Sequence, residues 1–382
     1  MNITVYNTIT DIRPIWLEFE KESYHYAFQH LQWIETWYEI LGKKENVELA
    51  LILIEENKDI PLALLPLGIF KTKGIKILSW LGGDVSDYKC GLFHKNYFQL
   101  TGKYEFNYFW NEILKLIPKV DLIFLSHQPE YLINMQFNPA ILLGGYISQL
   151  AYSTNLNFYS SWKEYLDSKR GAGISFIERN IKQISKRGTP KVKIVTDTNE
   201  ISRIFQELVI QKSRRYEETN VGNFLKKPGI YNFYETILYK ETPNQFCNLV
   251  YLEIDNIIIA ADFTLNYGNR IYSLLPSFRL EDFGKYSPGK IFSFLFIECC
   301  FNKNIGTFDF TIGAEKHKKI WCENELNLFT YTLPLNYKGS LYLNFVLLKS
   351  RLRKFRKLYK TRNSILNYFS TNKTIDKPIN TK

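Results

Sequence analysis

The feature that most constrains this chain of 382 residues is an order of elements that occurs twice. Residues 2–6 alternate like a short strand, and 11–22 and 28–41 read as helices. In the second helix Ile34, Trp37, Tyr38 and Leu41 recur three and four apart, and Gly42 is a stop. Three strand-like runs follow, at 47–54, 60–70 and 75–81, with polar breaks short enough for antiparallel hairpins. A turn-rich loop over 82–102 leads to a helix at 104–117 and strands at 122–125 and 147–152. The second half repeats this: a strand at 192–195, helices at 200–216 and 230–239, and strands at 246–253, 257–266 and 270–275. A helix at 288–302 and strands at 307–311 and 326–333 complete it.

A three-strand meander is antiparallel, whereas a strand–helix–strand step gives a parallel neighbour. The expected class is therefore α/β (α+β): two tandem lobes, each a mixed, mostly antiparallel sheet flanked by helices. The lobes are expected at 1–155 and 191–337, with a helical connector at 156–190 and a basic helix and tail at 338–382. In the connector, Ser161 and Glu164 form a capping-box pair, and Arg179, Lys182, Lys186 and Arg187 give one basic face. Where the last meander strand and the strand after the helix lie side by side, they can part, and such openings are where α/β sheets accept ligands.

Three segments are candidates for the site. In Tyr286-Ser287-Pro288-Gly289-Lys290, Ser287 suits an N-cap and Pro288 the first helical position. Gly289 would let an anion approach the backbone, the helix start favours phosphate, and Lys290 adds a cation. The plain alternative is that Ser-Pro-Gly only starts a helix. Asp309 sits between Phe308 and Phe310 on a short strand, where a carboxylate needs partners. It is read either as a general base for an ammonium substrate or as a structural acceptor. Glu315 and His317 follow in the loop, either facing the opening or in a solvated turn. In Gly82-Gly83-Asp84-Val85-Ser86-Asp87-Tyr88, two Gly, the acids Asp84 and Asp87, and Tyr88 follow a strand and either line a groove between the lobes or simply form a turn.

Charge and cysteines narrow the setting. The net charge of +11 resides wholly in 338–382, where twelve Lys and Arg face Asp376 alone. There Leu341, Phe345, Leu348, Leu352 and Phe355 form an apolar stripe among basic residues. The first turns of this stripe are expected to pack on the second lobe, and 349–362 to be free for an anionic membrane surface, nucleic acid or an acidic partner. Five cysteines without a CxxC pair argue against a disulfide framework or a structural zinc, so no metal is expected. No signal-peptide pattern and no apolar run of ~18 residues is present, and the expected location is cytoplasmic, in reach of the inner face of the membrane.

Beyond these readings, the chain resembles the bacterial acetyltransferases typified by the cellulose-biosynthesis protein CelD, a branch of the GNAT superfamily. The resemblance spans about Trp16 to Leu335 and rests on Phe28-Gln29-His30-Leu31-Gln32-Trp33 with Trp37, Leu62-Ala63-Leu64-Leu65-Pro66-Leu67, Leu81-Gly82-Gly83 with Asp87-Tyr88, and Arg179. Its sharpest parts are Tyr286-Ser287-Pro288-Gly289-Lys290 and Asp309-Phe310-Thr311 with Gly313, Glu315 and Lys318. The family pattern has Tyr before the final Lys; here His317 stands there, a candidate acid toward the leaving thiol. The resemblance implies tandem GNAT-like lobes, as in Fem-type transferases, and an acyl-CoA donor, most simply acetyl-CoA, held near Tyr286, Ser287, Gly289 and Lys290. Asp309, Glu315 and His317 would be catalytic, and Asp87, Tyr88 and Lys318 would bind the acceptor. That acceptor is expected to be an amine such as an amino sugar of polysaccharide or cell-envelope biosynthesis. The alternatives are a Fem-type transferase using aminoacyl-tRNA, the one case in which nucleic acid is expected, and a non-catalytic binding module.

Overall fold

The computed structural model describes residues 1–56, 60–101, 106–169, 173–220, 222–313, 315 and 318–349. The expected mixed α/β class is what the chain forms, but its strands join one continuous sheet rather than two. The long strands of the first half are β1 (Asn2–Tyr6), β2 (Glu48–Glu55), β3 (Pro61–Thr72), β4 (Ile75–Trp80), β5 (Leu122–Pro129) and β6 (Tyr146–Asn155). Those of the second are β7 (Lys191–Ile194), β8 (Cys247–Ile254), β9 (Ile257–Tyr267), β10 (Arg270–Ser273), β11 (Thr307–Ile312) and β12 (Asn324–Pro334). Each half makes the expected antiparallel meander, β2–β3–β4 and β8–β9–β10, followed by one parallel step, β4 to β5 and β10 to β11.

The last strand of each half crosses to the other. β12 pairs with β5 of the first half, and β6 pairs with β11 of the second; β6 and β12 then pair with each other at the centre. Hydrogen-bonded edges that would end each half are thereby satisfied by the partner half.

The helices follow from apolar spacing and caps. They are α1 (Ile9–Glu22), α2 (Leu31–Trp37), α3 (Phe106–Leu116), α4 (Trp162–Ser168), α5 (Ile174–Ile184), α6 (Thr198–Glu218), α7 (Ile230–Glu241) and α8 (Pro288–Asn302). Ser161 caps α4 as expected, its hydroxyl accepting the Glu164 N–H at 3.2 Å. One core spans both halves and includes Trp16, Trp33, Phe233 and Phe263; the edge of Trp33 meets Phe233 with centroids 4.8 Å apart. A second core lies on the opposite face of β8–β11, where α8 packs with the connector helices α4 and α5. Apolar residues surround α8 on every side (Ile291, Phe292, Phe294, Phe296 and Ile297 are all buried), which suits a helix enclosed by sheet and connector.

The helix at 337–349 corrects an expectation. It is rooted on the first half, where Asp121 accepts the Leu335 N–H at 2.9 Å and the Asn336 amide at 2.8 Å, and Gly339 packs directly on the Asp121 carbonyl. A side chain at 339 would collide there, and this contact sets the helix's angle. Leu341, Phe345 and Leu348 consequently point to solvent instead of packing on the second lobe. Residues 350–382, with Leu352 and Phe355, lie outside the described residues.

Candidate active site

β10 and β11 pair in parallel only at Arg270/Thr307, Ile271/Phe308 and Tyr272/Asp309. Beyond that point Leu274–Pro276 and Phe310–Ile312 form opposite walls of a cavity of about 280 Å³. Two buried carboxylates pull the strands apart. On β9, Asp262 accepts the Leu275 N–H at 2.9 Å and the Ser273 hydroxyl, turning the end of β10 toward β9. On β11, Asp309 Oδ1 accepts the Thr311 N–H at 2.8 Å at a bulge in the pairing with β6. Thr311 there has φ of 55°, a conformation β-branched residues rarely adopt, so the bulge is a strained feature held by its surroundings.

Asp309 is therefore not placed as a general base. Its Oδ1 also accepts the Tyr88 hydroxyl at 2.7 Å and its Oδ2 the Arg270 guanidinium at 2.8 Å. Both oxygens are committed to these partners, and neither lines the cavity. Tyr88 is likewise withdrawn from substrate binding: its ring is buried among Tyr26, Phe28 and Tyr272, and it serves as a cross-half donor to Asp309. Burial first, and the Asp309 charge second, push the Tyr88 phenol far up.

Asp87 does line the cavity, half-buried, with its carboxyl pushed up to about 6 chiefly by burial; a hydrogen bond from the Thr311 side chain and the charge of Lys318 pull the other way. Lys318 is on the wall too, bonded to the Ile312 carbonyl and 3.1 Å from Glu315. Glu315 stands exposed at the rim. His317 lies outside the described residues.

The helix start differs from its sequence reading. The single turn Gly284–Tyr286 delivers Ser287 in the left-handed region (φ 57°), and its side chain caps nothing. The Lys290 and Ile291 N–H groups both turn back to the Ser287 carbonyl. Gly289 is small because a Cβ there would lie 2.9 Å from the Phe278 ring. The Tyr286 carbonyl accepts the Asn180 amide at 2.9 Å, which ties the connector to this turn. Cations do gather at the spot: Lys290 and Arg179 flank the Phe176 ring at 5.1 and 5.3 Å, and Lys285 lies over Tyr286. One turn further on, Phe292, Ser293 and Phe296 reach the cavity.

Several cavity residues escaped the sequence reading. Lys212 of α6 bonds to the Pro276 carbonyl at 3.0 Å, and burial pushes its ammonium down. Asp262 is pushed up by burial. Its signal was available: one carboxylate within the apolar run Ile257-Ile258-Ile259-Ala260-Ala261-Asp262-Phe263. Tyr216 and Tyr234 complete this side, together with Asp84 of the Gly82–Tyr88 loop, which is ion-paired to Lys227 across the halves.

The cavity thus runs through the sheet. On the α8 side its walls are Phe292, Phe296, Phe308 and Phe310; on the α6 side they are Asp84, Asp87, Asp262, Lys212 and Lys318, with Glu315 at the rim. Among the described residues no group of three or more His, Cys, Asp or Glu could hold a metal ion.

A meander followed by one parallel step occurs in both halves, and in the second half the sheet parts beside α8. Residues 174–319 match the family model of the acetyltransferase (GNAT) domain. The solved structure of FemX aligns over 87% of this chain and 98% of its own, with a TM-score of 0.59 at 12% identity, a likeness of fold. A tandem GNAT protein from the clavulanic acid biosynthesis pathway covers the same shares, 87% and 98%, at a TM-score of 0.47 and 10% identity. A conserved protein of unknown function from Bacteroides thetaiotaomicron covers 87% and 100%, at 0.48 and 10%. No curated protein matches the chain.

Proposed function

We propose that the protein is an acyl-CoA-dependent N-acyltransferase, with acetyl-CoA the simplest donor and an amine as acceptor. The cavity through the β10–β11 gap carries this reading. Its aromatic side fits an apolar donor arm and its carboxylate side fits a cationic amine. Among its ionisable walls, four carboxylates (Asp84, Asp87, Asp262, Glu315) face two lysines (Lys212, Lys318).

An acyl-CoA would supply the activated acyl carbon, and Arg179, Lys285 and Lys290 are the groups that would hold its phosphates. Asp87 takes the proton from the acceptor ammonium, which frees the nitrogen lone pair to attack the acyl carbon; the C–S bond then breaks, and the proton the nitrogen sheds passes to the departing coenzyme A thiolate; a carboxyl near 6 suits the first step at neutral pH. The Leu274 and Leu275 amides already donate to the Phe263 carbonyl and to Asp262. Lys212, on the wall, is then the group offered to a developing oxyanion. Oriented capture of the amine beside the gap supplies proximity. The CelD-like affiliation is the finer form of this reading and rests on the motif residues, and an amino-sugar acceptor is what that resemblance implies.

Calorimetric titration with acetyl-CoA, wild type beside Ser293→Trp, is the direct test. Ser293 lines the cavity and its hydroxyl merely bonds to the Gly289 carbonyl, so the bulk enters the gap without disturbing Phe278. Binding by the wild type and a loss of at least about ten-fold, 1.4 kcal/mol, in the variant is expected. A folded wild type that ignores acetyl-CoA and longer acyl-CoAs but retains aminoacyl-tRNA would establish the Fem-type alternative, which the likeness to FemX favours and the acidic walls oppose.

A further inference from the structure

The helix at 337–349 carries its apolar stripe on the outside. Leu341, Phe345 and Leu348, spaced four and three, are 66%, 49% and 58% exposed. Gly339 against Asp121 holds the helix in this pose, so the stripe is an arranged surface of the folded chain. Cations surround it. Lys73 lies 5.0 Å from the Phe345 ring centroid, and Lys338 and Lys76 both act on the Asp121 carboxyl at the helix root. The sequence then continues with Arg351, Arg353, Lys354, Arg356, Lys357, Lys360 and Arg362, without an acid until Asp376.

We propose that this helix docks on an anionic lipid surface. Two properties must be satisfied at once, an exposed aliphatic stripe and a concentrated positive charge around it. Nucleic acid would neutralise the lysines and arginines but leave Leu341 and Leu348 in water, since bases stack on aromatic rings rather than on leucines. A second copy of the chain would cover the stripe but bring like charges together. An anionic bilayer takes both: the stripe enters the headgroup boundary and the cations lie against the lipid phosphates. No described helix is long and apolar enough to cross a membrane, so the helix lies in the interface. This surface lies on the first half, apart from the cavity, and the inference stands whatever the acceptor.

The test is co-sedimentation of the full chain with vesicles of phosphatidylcholine alone or mixed with phosphatidylglycerol, at low and high salt. Binding only to the mixed vesicles, weakened by salt, is expected. The triple variant Leu341→Ser, Phe345→Ser, Leu348→Ser should bind at least about ten-fold more weakly, because three exposed apolar side chains lose their transfer from water. Since all three are exposed, its thermal unfolding should match the wild type. Lys73→Glu with Lys76→Glu should weaken binding to the mixed vesicles. No binding to mixed vesicles at low salt overturns the proposal. So does undiminished binding by the triple variant, a lipid-free dimer that this variant dissolves, or preference for RNA over anionic vesicles.

Discussion

Strands β4 and β5 part after Leu78 and Ile123, and strands β10 and β11 part after Tyr272 and Asp309. In the first half the gap is closed: Trp80, 2% exposed, reaches the buried Gln128 of β5 with its indole N–H at 3.3 Å. In the second half the corresponding residue is Leu274, whose N–H goes to the Phe263 carbonyl while the next N–H, of Leu275, goes to Asp262, and the gap is a cavity. The same backbone device is thus a packed core in one half and an open cavity in the other. What separates them is one large aromatic against a pair of buried carboxylates. The closed half still serves the open one, because Asp84, Val85 and Asp87 come from its turn-rich loop and form a wall of the second half's cavity.

Three substitutions would break or sharpen this contrast. The largest effect is expected for Asp87→Asn, the first half's contribution to the chemistry. Its loss should lower kcat/KM about 10²–10⁴-fold if it is the base. Because the base must be deprotonated, wild-type kcat/KM should climb as pH rises through about 6 and then level, and the variant should lack that limb. A pH–rate profile with the same limb in the variant would remove Asp87 from this role.

Trp80→Ala comes next. Emptying the first gap should cost about 3–5 kcal/mol in urea unfolding, since a large buried side chain is replaced by a cavity and Gln128 loses its donor. A cost below about 1 kcal/mol would mean that the strands close without it and that filling is not what distinguishes the halves. The smallest effect belongs to Lys227→Ala, which removes the ion pair to Asp84 across the mouth. Both partners are largely exposed, so stability should change by less than about 1 kcal/mol, while acceptor KM shifts if the pair shapes the entrance.

Much of the architecture is legible in the chain itself. The two meanders, the helix at Pro288 and the capped connector arise from alternation, breaks and local caps, all interactions between near neighbours in sequence. The identity of the site residues is less so. Asp309 declared itself as a carboxylate in an apolar strand, yet its partners Arg270 and Tyr88 are 39 and 221 residues away, and they occupy both of its oxygens. Asp87 could be read from the chain as a groove-lining or a turn residue, and only the fold sets it beside Thr311 and Lys318. Ser287 had the composition of a cap, but the preceding turn imposed a backbone conformation in which it does not act as one.

The sequence by itself determined the elements, their order and the two parallel steps, because hydrogen-bonding period and turn chemistry act over a few residues. Only the tertiary structure decided that β6 and β12 change places, that one gap is filled and the other open, and that a loop of one half walls the cavity of the other. Those outcomes depend on which distant surfaces meet, and local pattern carries no information about a partner more than a hundred residues away.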